Sequence, residues 1–218
     1  KHSSGINGMR QFEVPEKLTQ GIFSRFTPMT DVQGNSTEFV ERMDHIGIAS
    51  NNNIIAESIF AGKLGLPVES RQTDMEVKVS MESFTSDKYG VIYKTRPPET
   101  MGGLRVSFIS IGDTELEFLE NFNDQHHAEI AHGTPGNTKQ DQGAITKYVD
   151  KYGPGLHHLA FKTPDINQTL KHLEKHNFRL IDMIGREGSR RSLIGFIHPA
   201  STGGVLIHFV EREEITDA

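Results

Sequence analysis

Asp44-His45-Ile46-Gly47-Ile48-Ala49 and His157-His158-Leu159-Ala160-Phe161-Lys162 open two stretches that read as copies of one unit. The first closes on Thr114-Glu115-Leu116-Glu117-Phe118-Leu119-Glu120, the second on Val205-Leu206-Ile207-His208-Phe209-Val210-Glu211. Superposing the copies pairs His45 with His158 and Glu117 with His208, so four nitrogen or oxygen donors fall at matched positions of an internal repeat. All four stand where a strand would carry an apolar or alternating side chain, and local rules are broken in this way mostly at functional sites. A single such histidine reads equally well as a core residue bonded to backbone. Four at duplicated positions argue for one shared site.

The same order of elements runs outward from both openings. Arg42 to Ser50 alternates as a strand, and Ile54, Ile55, Ile59, Phe60 and Leu64 then recur at helical spacing until Gly65 and Pro67 stop the helix. Strands are expected at 77–79, 91–93 and 104–111, and after the turn Gly112-Asp113 at 114–119. In the second copy a strand over 156–161 leads through Thr163-Pro164-Asp165, with Asp165 as N-cap, into a helix carrying Ile166, Leu170, Leu173 and Phe178. Strands at 180–184, 193–197 and 205–210 follow. The fold class is therefore α+β, two βαβββ modules, with module one at 42–122 and module two at 155–212. Between them lies a polar loop, 121–142, and a short helix over 144–152 ended by Gly153-Pro154-Gly155. Residues 1–41 lack a sustained period and read as an N-terminal arm over the domain or a partner subunit, with Lys1-His2-Ser3-Ser4-Gly5 as an expression remnant.

Composition narrows the chemistry. The 218 residues carry a net charge of -6 with scattered basic groups, which speaks against a nucleic-acid surface. No apolar run approaches the roughly 18 residues of a membrane span, and a cytoplasmic protein is expected. With no cysteine, a metal must be held by His and carboxylate, a ligand set suited to Co, Mn, Ni, Zn, Fe or Mg. His172 and His176 have the i, i+4 spacing of a zinc pair, but Leu173 stands where a metalloprotease has Glu, so a solvated helix face is the better reading. His126, His127 and His132 fall in the polar loop and are read the same way. His157 should face away from its neighbour His158, because successive strand side chains alternate.

The motifs quoted above, with Leu64-Gly65-Leu66, Gly112-Asp113 before the first closing strand and His198-Pro199-Ala200-Ser201-Thr202-Gly203-Gly204 before the second, resemble the vicinal oxygen chelate superfamily, and within it the methylmalonyl-CoA epimerases. The likeness covers about 42–212. It implies a cup-shaped sheet and a divalent metal ion held by His45, Glu117 and His158, with His208 where the epimerases place a fourth ligand, a Glu. His208 is thus either a ligand or a base acting off the metal. The family's base Glu precedes the strand at 104–111; the gapless match here is Met101, which cannot take a proton, and Glu99 two residues earlier is the candidate base. The segment 69–96 is longer than in a compact epimerase. The activity implied is an epimerase or isomerase that removes a proton alpha to a carbonyl through an enolate, acting on a small carbonyl substrate such as an acyl-CoA, in a homodimer. The alternatives are an iron(II) oxygenase, which a fourth protein ligand would crowd, a glyoxalase-like lyase, and a binding or resistance protein without catalysis.

Overall fold

The computed structural model describes residues 2–4, 10–28, 36–122 and 133–213. At the N-terminus β1 (His2–Ser4), β2 (Arg10–Val14) and β3 (Ser24–Phe26) form a small antiparallel sheet. Between β2 and β3, Gln20 and Gly21 turn the chain at φ 50° and 83°, and Ile22 enters the core beside Ile48 and Phe60.

The first copy contains β4 (Arg42–Ser50), α1 (Asn53–Glu57), β5 (Val68–Lys78), β6 (Met81–Ser86), β7 (Gly90–Thr95), β8 (Glu99–Ile111) and β9 (Thr114–Asn121). After α2 (Thr138–Tyr152) the second copy contains β10 (Gly155–Lys162), α3 (Ile166–Lys175), β11 (Arg186–Glu187), β12 (Leu193–Ile197) and β13 (Ile207–Glu211). Eight of these strands make one sheet in the order β11-β12-β13-β10-β4-β9-β8-β5. From its centre outward, β4-β9-β8-β5 repeats as β10-β13-β12-β11, and the whole curls into a half-barrel cup. The register repeats as well. Gly47, two residues after His45, lies beside Glu117, and Ala160, two residues after His158, lies beside His208.

Apolar side chains close both faces of this sheet. Ile48, Ile109 and Phe118 pack against the helical segment after β4, Val106 and Phe108 pack with Ile145 of α2, and Ile166 and Leu170 of α3 pack on Ile197 and Phe209. Each such fully buried side chain contributes about 1.5–3 kcal/mol of transfer free energy. Among the described residues no helix is long and apolar enough to cross a membrane.

Four elements differ from the sequence expectation. The helix after β4 is α only over Asn53–Glu57, capped by Asn52, and continues as π-helix over Ser58–Lys63 before Gly65 turns at φ 76°. The strand expected at 180–184 is reduced to a bridge between Leu180 and Ile197, because the Asp182 carboxylate accepts from the backbone N–H groups of Phe196 and Gly136 and so replaces ladder bonds. The helix expected at 144–152 begins six residues earlier, under an Asn137 cap. Finally, the extra length at 69–96 is an eleven-residue edge strand, β5, continuing into the hairpin β6–β7, which among the described residues forms a two-stranded sheet of its own.

Candidate metal centre

β4, β9, β10 and β13 lie side by side at the centre of the sheet, and each sends one of the duplicated donors into the cup. His45 Nε2 stands 3.3 Å from His158 Nε2, 3.1 Å from His208 Nε2 and 3.2 Å from Glu117 Oε2; His158 Nε2 stands 3.4 Å from the same carboxylate oxygen. All four residues are buried, and the three histidines form a group with the spacing of metal ligands. Donors about 2.1 Å from a common ion stand roughly 3.0 Å apart at a right angle and 3.4 Å apart at the tetrahedral angle. The observed spacings fall in that interval, so the residues fit a divalent cation.

Each first-strand histidine is supported by the residue before it. Asp44 Oδ1 accepts from His45 Nδ1 at 2.8 Å, and His157 Nδ1 lies 3.0 Å from His158 Nδ1. His158 can present a lone pair at Nε2 only when its Nδ1 carries the hydrogen, so His158 donates to His157. The expectation that His157 faces away does not hold. A bulge in β10 between Leu156 and His158 breaks the alternation, and both imidazoles line the cup. Gly47 leaves room for this arrangement: a Cβ there would meet His158 Cε1 at 2.0 Å.

Electrostatics sort the protons. Burial disfavours the charged form of His45, but the Glu117 charge and the bonds to Asp44 and Glu117 outweigh it and push its pKa up to about 9. Burial lowers the pKa of His158, and that of His208 well below the ordinary value, so both imidazoles are neutral with lone pairs available. His157 is pushed down to about 3 by burial and by His158. Glu117 is held well below the carboxylate range: burial opposes its charge, and the charge on His45 together with the bond His45 donates overcomes that. The cluster thus holds one proton, on His45 against Glu117, in the place a cation would take. Burial also opposes ionisation of Asp44, but His45, Arg212 and Arg190 more than compensate, and the carboxyl stays ionised.

The cluster forms the floor of a cavity of about 860 Å³, within the range of small-molecule sites. Leu104, Phe108, Leu119 and Ile145 give it apolar walls; α2 adds Lys147, Tyr148, Lys151 and Tyr152 along one side. Arg186 spans the wall, bonded to Asp141 at 2.9 and 2.7 Å and to Asp182 at 3.3 Å. Across the cup, the turn after β11 reaches back to module one. Arg190 lies over the Phe108 ring, 3.7 Å from its centroid, and bonds Glu115 and Asp44. Arg190 and Arg191 both have left-handed backbones, φ 57° and 56°, a conformation that persists in non-glycine residues only where the surroundings over-determine it.

Glu99 is not brought to this site. It begins β8, exposed, opposite Lys78, nine residues and so roughly 30 Å of strand from Phe108, and it is not among the residues lining the cavity. The long β5 draws the segment 99–103 into the sheet instead of leaving it a loop over the mouth. His172 lies on α3 and His176 at its C-cap, neither among the cavity residues, with Phe39 stacked on His172 at 4.0 Å. His126, His127 and His132 lie outside the described residues. Sequence reasoning missed Arg186, Arg190 and Asp74 as cavity groups and Asp44 as the support of His45. Only Asp44 carried a signal, its place before His45 matching that of His157 before His158.

The family model described as "Glyoxalase/Bleomycin resistance protein/Dioxygenase superfamily" matches residues 44–196. The chain is 27% identical over 172 residues to the uncharacterized protein YqjC of Bacillus subtilis (strain 168), covering 79% of this chain and 93% of that one. It is 26% identical over 111 residues to the mitochondrial methylmalonyl-CoA epimerase of Dictyostelium discoideum, covering 50% of this chain and 57% of that protein's length. In fold it is similar to the crystal structure of methylmalonyl-CoA epimerase from Mycobacterium tuberculosis, with TM-score 0.56, 22% identity, and coverage of 83% of this chain and 94% of that one. Two duplicated modules, a half-barrel cup and a family match over most of the chain make this protein a member of the glyoxalase/bleomycin resistance/dioxygenase superfamily.

Proposed function

We propose that this chain is a divalent-metal-dependent epimerase or isomerase that removes a proton alpha to the carbonyl of a small substrate, with acyl-CoA thioesters as the favoured class. The convergence of His45, Glu117, His158 and His208 on one cavity, with His45 Nε2 3.1–3.3 Å from a donor atom of each of the other three, carries the reading. The similarity to methylmalonyl-CoA epimerases supports the substrate class.

His45, Glu117, His158 and His208 would hold the ion, which when bound withdraws electron density from a carbonyl oxygen and so acidifies the adjacent C–H. The chain's own groups do the rest. Asp44 and His157 fix the two first-strand imidazoles with Nε2 toward the floor. Leu104, Phe108, Leu119 and Ile145 exclude water from the reacting carbon, and the low dielectric strengthens every charge interaction there. Lys147 and Lys151, one helical turn apart at the rim, suit an anionic tail.

A second copy of the chain is the partner proposed for the hairpin. Phe84 and Ile92 share one face of β6–β7, Met81, Val91 and Tyr93 the other, and all are 49–65% exposed. Met75, Val77, Val79 and Tyr89 alongside are also exposed, so the hairpin and the end of β5 present apolar side chains to a partner. Closed isologous pairing is the commonest way to cover such a surface.

The test is incubation of metal-loaded protein in heavy water with a panel of CoA thioesters and 2-oxo compounds, followed by mass spectrometry. Deuterium entering alpha to a carbonyl is the expected result. Turnover that consumes oxygen without exchange would instead establish the oxygenase alternative.

A further inference from the structure

Removing an alpha proton needs a base on the cavity wall, and Glu99 is not on it. Among the described residues the carboxylates lining the cavity are Asp74, Glu117, Asp141 and Glu187. Glu117 belongs to the donor cluster. Asp141 is clamped by both terminal nitrogens of Arg186 and serves as its counter-ion. Glu187 ends a two-residue edge strand and is exposed. Asp74 differs from all three: it is half-buried, and its carboxylate is held by two uncharged donors, Ser189 Oγ at 3.0 Å on Oδ2 and Gln72 Nε2 at 2.5 Å on Oδ1.

The fold holds this carboxylate from both modules. Asp74 sits on the inserted edge strand β5, opposite Leu104 of the apolar wall. Ser189 comes from the strained turn after β11, whose Arg190 backbone N–H also donates to Gln72 at 2.9 Å. Burial, and to a smaller degree the Glu117 charge, raise the Asp74 pKa above the ordinary carboxylate value, toward the range in which a general base works best.

We propose that Asp74 is the catalytic base of this cavity and takes the proton from the carbon alpha to the substrate carbonyl. This rests on the proton-transfer reading above. The C–H bond breaks and an O–H bond forms on Asp74; the C–H electron pair becomes the carbon–carbon double bond of the enolate, and the carbonyl π pair moves onto oxygen. Return of a proton from the Asp74 carboxylic acid to carbon restores the carbonyl. In heavy water that acid exchanges with solvent first, so the carbon acquires deuterium.

The experiment follows deuterium entry into methylmalonyl-CoA with metal-loaded wild-type, Asp74→Asn and Asp74→Ala proteins, measuring bound metal in each. Expected are a loss of about a hundredfold or more in Asp74→Asn with its metal retained, and partial recovery of Asp74→Ala by added formate, which supplies the missing carboxylate. Exchange by Asp74→Asn at the wild-type rate overturns the assignment. So does joint loss of exchange and of bound metal in both variants without recovery by formate, because the role is then structural. Silence of the wild-type protein itself overturns the proton-transfer reading on this substrate, and with it the base.

Discussion

Replacing Gly47 by alanine puts a Cβ into space the His158 imidazole occupies. The Cβ would lie 2.0 Å from Cε1, 2.3 Å from Nδ1 and 2.4 Å from Nε2 of that ring. Non-bonded carbons need about 3.5–4.0 Å, so the ring must withdraw by roughly 1.5 Å, while a metal–ligand bond tolerates about 0.2 Å. The substitution therefore removes His158 from the cluster without touching any ligand. Disturbing a ligand's supporting partner costs about 10–100-fold in metal affinity, and losing a ligand costs more, so a drop of at least about a hundredfold is expected. The overpacking adds about 1–3 kcal/mol of destabilisation. The matched position of the other module is already Ala160, fully buried beside His45, so a Cβ is accommodated at the equivalent place in the second copy. Competition between the protein and a chelator for cobalt(II) measures the effect. Affinity within threefold of wild type, in a folded Gly47→Ala protein, would refute the packing argument.

Two further perturbations probe what holds the cavity together and what surrounds it. Arg186→Met leaves the Asp141 carboxylate without its counter-ion and is expected to cost about 3–5 kcal/mol in denaturant unfolding, most of which the Arg186→Met, Asp141→Asn double variant should recover. Phe84→Asp with Ile92→Asp places charges on one apolar face of the hairpin and should convert a dimer to a monomer in sedimentation equilibrium, while leaving metal content unchanged because the hairpin is a sheet apart from the one that carries the donors.

Much of this molecule could be read from its letters because the duplication doubled each signal. His45 with His158 and Glu117 with His208 repeat at the same places, and the strand register follows the repeat residue for residue. What was illegible had polar residues doing the work of apolar ones. The first two turns of α2 are anchored by Gln142, which accepts from the Gly103 N–H and donates to Asn121, so no hydrophobic period announced the helix. Asp182 replaced a stretch of ladder and reduced the strand expected at 180–184 to a single bridge. The bulge at His157 reversed a side chain that simple alternation placed outside. Asp74, Arg186 and Arg190 reach the cavity through contacts across 45 to 146 positions of sequence, and no local pattern encodes those. The hairpin's apolar residues read as ordinary strand content, since exposure on both faces shows only in three dimensions.

The central claim is that one divalent ion is held jointly by both modules. Equilibrium dialysis against cobalt(II), with metal counted per chain and the visible d–d spectrum recorded, tests it directly for the wild-type protein and for His45→Ala, Glu117→Gln, His158→Ala and His208→Ala. The account predicts one ion per folded wild-type chain, and in every variant both a loss of affinity and a changed spectrum, since each side chain supplies one donor to the same ion. Two ions per chain, or a spectrum and affinity unaltered by any one of the four substitutions, would contradict it.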